Sequence, residues 1–205
     1  MSQLDLHQIA VGVVSSRPKP QPVVTRAERT SLATGTFKVD HYRKGKRINS
    51  WTFKNGITNE GKNKLLDVMF HATTQITTWY LGLIDNVGYT ALAASDTYAG
   101  IDGANGWDEF PDYTDPGNSD SALTRPEWTE GAASSQAITN SSVVVFDITA
   151  TGTVKGIFLV GGGSASDTKS DNAGGGTLWA TALFTGGDVP VQNGDALRVT
   201  YTVNA

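Results

Sequence analysis

The chain has no cysteine, which excludes disulfides and thiolate metal sites and leaves the redox compartment undetermined. No apolar run approaches the ~18 residues that a membrane-spanning helix requires. Residues Ile9–Val14 are too short for a signal-peptide core and lack a basic region before them, so the expectation is synthesis in a cytoplasm without export by that route. Only three histidines occur, His7, His41 and His71, and their spacing does not suit a metal site. No Gly-x-Ser-x-Gly surrounds a nucleophile, because Gly161-Gly162-Gly163-Ser164 lacks the following Gly. Gly176-Thr177-Leu178-Trp179 leads into a strand, whereas a phosphate loop needs Gly-Lys-Ser/Thr leading into a helix. The apolar share of 39% is lean, so the expected core is modest.

What is present is a marked separation of charge. Residues 1–64 carry about +8 and the remainder about −12, which the net charge of −4 conceals. Glycine, at 23 residues, is above its usual share. Together with much Thr, Ser, Asn, Asp and Ala it favours many short strands joined by turns.

Residues 1–33 read as an extended basic arm, with a disordered tail as the alternative. Pro18, Pro20 and Pro22 alternate with other residues and block a helix. The β-branched patch Ile9–Val14 has the character of a strand that adds to a neighbouring subunit. Residues 34–205 read as a β-rich body. Thr34–Val39 and Arg47–Phe53 form a predicted hairpin around the basic turn His41–Lys46, and Asn55-Gly56 marks a tight turn. The segment Thr58–His71 is the one clear helix. Asn59 serves as its cap, Glu60 complements the dipole, and Leu65, Leu66, Met69 and Phe70 form a buried stripe. Gly61 is expected to weaken it.

Strands are then predicted at Thr78–Ile84, Ser142–Ile148, Val154–Val160, Thr177–Phe184 and Ala196–Val203. Residues 85–137 break that rhythm but hold Tyr89, Tyr98, Trp107, Phe110, Tyr113 and Trp128, which implies an ordered excursion packed on the body. The fold expected is mainly β: an antiparallel sandwich or barrel-like body with one short helix and an extended N-terminal arm.

Three clusters deserve a chemical reading. The acidic run Asp102, Asp108, Glu109, Asp112, Asp115 and Asp120 offers oxygen ligands of the kind calcium accepts, although its spacing is not that of an EF-hand loop. Its alternative is a solvated acidic surface. Asp108 with Glu109, or Glu127 with Glu130, are the carboxylate pairs that glycoside hydrolysis would require. The cations Arg17, Lys19, Arg26 and Arg29 of the arm, with Arg43, Lys44, Lys46 and Arg47 of the hairpin, are the candidate partner-binding residues. An acidic protein surface is a better match for them than nucleic acid, because no reading helix or aromatic platform lies among those charges.

The blocks Asn55–Gly61 with Leu65–Val68, Ile76–Ile84, Trp128–Ala133, Ile138–Ser141, Gly156–Phe158, Thr177–Phe184 and Asn193–Leu197 resemble small structural proteins of tailed bacteriophages. The resemblance spans roughly residues 55–205 and omits the arm. It implies a virion component assembled in the host cytoplasm, foremost a capsid decoration or cement protein. Its implied partners are the major capsid protein and further copies of itself, as a homo-oligomer with a trimer favoured. It implies no enzyme activity, catalytic residue, cofactor, metal, nucleic acid or membrane partner. The alternative is a head-fibre, collar or tail-fibre component that meets the host surface, with Tyr98, Trp107 and Tyr113 stacking on sugars at a solvent-facing tip, against which stands the reading of those rings as internal packing.

Overall fold

A computed structural model of the chain describes residues 33–205. The arm, with Ile9–Val14, Arg17, Lys19, Arg26 and Arg29, lies outside the described residues. The body is mainly β, with two antiparallel sheets and one α-helix. In the first sheet β1 (Thr34–Arg43) lies between β2 (Lys46–Lys54) and the last strand, β11 (Asp195–Asn204). β7 (Val144–Ile148) and β5 (Tyr113–Thr114) continue it, and β6 (Ala137–Thr139) also pairs with β11. The second sheet is built on β8 (Gly152–Gly161), flanked by β9 (Thr177–Leu183) on one side. On its other side lies β4 (Trp79–Asp85), while β10 (Val189–Val191) pairs with the start of β8 on the same side as β9, and β3 (Gly56–Ile57) adds to β9.

Alternation explains how the sheets meet. Along β1 and β11 every second residue is buried, so Phe37, Val39, Leu197, Val199 and Tyr201 face the second sheet. β8 differs, because its run Ile157-Phe158-Leu159-Val160 is buried on both faces. Ile157 and Leu159 join the core between the sheets. Phe158 and Val160 point the other way, into a second cluster with Tyr98, Ile101 and Trp107. That cluster is how residues 85–137 are held. Their backbone also runs along the outer edge of β4, where Phe110 N donates to Leu83 O at 2.8 Å and Leu81 N to Pro126 O at 3.0 Å. An otherwise bare sheet edge is thereby covered.

The hairpin is longer than the sequence suggests. β1 runs on to Arg43, and the turn contracts to Lys44 and Gly45, both with positive φ (50° and 74°) as a two-residue hairpin loop requires. Opposite the step from His41 to Tyr42 the register shifts, so Ile48 has no direct partner and forms a bulge. Asn55-Gly56 is not a tight turn. Gly56 pairs with Thr181 and Ile57 with Ala180, so the chain here passes from one sheet to the other. The Asn55 amide donates to Tyr201 Oη at 3.1 Å, which ties this crossing to β11.

The helix α1 (Asn59–Phe70) is capped by Thr58, whose Oγ accepts from Gly61 N at 3.0 Å; Asn59 is the first helical residue. Glu60 reaches out of the helix to accept from Tyr98 N at 2.9 Å and Leu178 N at 2.6 Å. The expected buried stripe is a correction. Only Gly61 is buried, while Leu66, Met69 and Phe70 are exposed. On a helical wheel the apolar arc from Val68 through Leu65 to Phe70 spans about 200°, twice what one docking face needs. The helix docks through the side centred on Gly61, where a Cβ would lie 2.7 Å from Trp179 O. Gly61→Ala gains about 1 kcal/mol of helix propensity but forces the helix off β9, at about 1–3 kcal/mol. The expected result is a net loss of stability, read as a lowered midpoint in urea; a raised midpoint would show that the helix is not tightly seated.

Candidate functional site

The fold collects its polar and apolar features into four places. The first is a buried ion pair. Arg125 donates from Nε to Glu109 Oε1 at 3.0 Å and from Nη2 to Oε2 at 2.8 Å, with both side chains 0% exposed. Tyr113 Oη donates to Oε1 at 2.9 Å and Ser170 N to Oε2 at 2.8 Å, while Arg125 Nη1 donates to Ser166 O at 3.0 Å. Burial, and then the Glu109 charge, hold the Tyr113 hydroxyl well above the ordinary tyrosine range. Both oxygens of Glu109 are engaged, which fits a structural role: the pair ties the excursion to the loop between β8 and β9.

The second place is a polar cleft of about 690 Å³ lined by Tyr80, Asp115, Thr124, Glu127, Ser142 and Asp167. Burial raises the pKa of Asp115, and burial with the nearby charges of Asp167 and Glu127 raises that of Tyr80. Of the carboxylates paired in the sequence reading, Glu127 lines this cleft whereas Glu130 lines a different, apolar one, and Glu109 is taken up by Arg125. Asp102 Oδ1 accepts from Glu109 N at 2.5 Å. Among the described residues no three His, Asp or Glu side chains gather as a metal site.

The third is the hairpin end. Asp195 is buried there and accepts from Arg43 Nε at 2.8 Å and Nη2 at 2.7 Å, from Gln192 N at 3.0 Å, and faces His41 Nε2 at 2.8 Å. Burial pushes its pKa up, but the hydrogen bonds from Arg43 and His41 outweigh this and hold it at about 2. Arg43 is therefore engaged within the fold. Lys44, Lys46 and Arg47 are the exposed cations, and Arg47 makes only a long 3.5 Å contact with Asp40. This His-Asp-Arg cluster was missed in the sequence, where 154 residues separate His41 from Asp195.

The fourth is an apolar trough of about 390 Å³ beside α1, lined by Leu65, Val68, Trp79, Trp128, Trp179 and Val203, among others. The rings assigned to sugar stacking are not available for it. Tyr98, Trp107 and Tyr113 are at most 1% exposed, and Trp107 Nε1 donates to Asp96 Oδ2 at 2.9 Å. Among the described residues no helix is long and apolar enough to cross a membrane. No family model matches the chain, and no curated protein shows significant similarity to it.

Proposed function

We propose that the chain is a structural component of a bacteriophage virion, a decoration or cement protein that binds the outer head surface and stabilises the shell by contact. The observation that carries this reading is the hairpin end. A two-residue turn presents Lys44, Lys46 and Arg47 to solvent, on a strand pair held rigid by the buried Asp195 cluster. On a protein of net charge −4, such a protruding basic point suits an acidic protein surface, and repetition over a shell multiplies a weak contact. Sugar stacking by Tyr98, Trp107 and Tyr113 no longer supports the host-surface alternative, because these rings are core residues.

The test is co-sedimentation of the purified chain with phage heads that lack it. Reversal of Lys44, Lys46 and Arg47 to Glu is expected to weaken attachment at least ten-fold, and raised salt to weaken the unaltered protein. Attachment that ignores both changes would remove the basis of this reading.

A further inference from the structure

Eight large apolar side chains stand exposed among the described residues, and three of them share one turn of α1. Leu66, Met69 and Phe70 are 45%, 64% and 80% exposed and form a ridge. The apolar trough lies on the inner flank of the same helix, with Leu65 and Val68 in its wall and Met69 in both features. The other exposed apolar residues, such as Ile48, Val87 and Leu123, are scattered, and single exposures of that kind are ordinary.

A ridge and a trough side by side on one helix make a self-complementary surface. A two-fold axis beside α1 sets the ridge of one copy into the trough of the other and repeats the contact in the opposite sense. We propose that this face joins two copies of the chain into an isologous pair. Charge supports a second copy as the occupant. The trough is lined by one cation, Lys64 from the helix, and one anion, Glu130 from the segment that carries Trp128. Neither makes an ion pair among the described residues. A two-fold rotation pairs Lys64 of each copy with Glu130 of the other, two contacts for one interface. A stable pair buries about 800 Å² per partner, more than three side chains supply, so the trough walls must be covered together with the ridge.

A three-fold ring would need ridge and trough turned toward two different neighbours, whereas here one helix carries both. The pair does not depend on the virion reading. The trough is lined by Val203, near the end of β11, and the basic turn lies beyond Asp195 at its start. Nine paired residues run from Val203 to Asp195, about 26 Å, so self-association and shell attachment can fail separately.

The experiment is sedimentation velocity on the full chain across a concentration series. The expected species is twice the 21.7 kDa chain mass. Phe70→Ser should weaken the pair at least ten-fold without lowering the melting temperature of dilute, unpaired protein, because the ring is exposed. Lys64→Glu and Glu130→Lys should each weaken it, and the two together should restore it. A monomer at high micromolar concentration would overturn the proposal and leave the face to a different protein. A species of three-fold mass, or a pair that none of these variants affects, would also overturn it.

Discussion

Glu109→Gln is expected to lower the unfolding free energy by about 3–5 kcal/mol, the cost of leaving a buried charge without its partner. Arg125 is held by both oxygens of Glu109, with both side chains 0% exposed, so no water can take over the guanidinium. The neutral amide keeps the shape of the side chain but loses the charge, and one of its two ends can no longer accept. Tyr113 Oη and Ser170 N depend on the same carboxylate, so the loss extends beyond one pair. Because the network ties residues 109–125 to the loop before β9, the near-ultraviolet signal of Trp107 and the urea midpoint should fall together. Replacing Arg125 by Met as well removes the stranded charge and should recover part of the stability, though not the bonds to Tyr113 and Ser170. A loss under about 1 kcal/mol for the single change would mean that the pair contributes little net stability.

The second large effect concerns acid. Asp195 has a folded pKa of about 2, below the roughly 3.9 of an unfolded aspartate. A depressed pKa means that its contribution to stability is fully present above about pH 4 and is lost as pH falls toward 2. Asp195→Asn should cost on the order of 2 kcal/mol at neutral pH, the scale of charge-assisted hydrogen bonds. Roughly 1–2 kcal/mol of this should vanish between pH 4 and pH 2, a figure reduced for solvent reaching Arg43, whose side chain is 33% exposed. Asp102 and Asp115 act in the opposite sense, because burial raises their pKa values and protonation relieves them on acidification. The clean measurement is therefore the difference between unaltered protein and variant, taken by urea unfolding at several pH values. A difference that stays constant from pH 6 to pH 2 would contradict the assigned role of the carboxylate.

The strands were legible because alternation and β-branched content are local properties. Ala196–Val203 and Thr177–Phe184 were expected, and Asp195–Asn204 and Thr177–Leu183 are observed. The four shortest strands, β3, β5, β6 and β10, were missed. Two or three residues show no period, and they pair only because a longer strand already lies beside them. Asn55-Gly56 misled because the dipeptide is a strong local turn signal, whereas Tyr201 lies 146 residues away and engages the amide.

From the sequence alone follow the mainly antiparallel β character, the existence of one helix near residue 60, the aromatic content that anchors residues 85–137, and the opposed charge of leading and trailing parts. All rest on neighbours within a few positions of one another. Which arc of the helix is covered, which carboxylates are spent on Arg125 and Arg43, and which cations remain at the surface were decided only by tertiary structure. Each depends on a contact across the fold, such as Gly61 against Trp179 or His41 against Asp195, and local periodicity holds no record of partners so far along the chain.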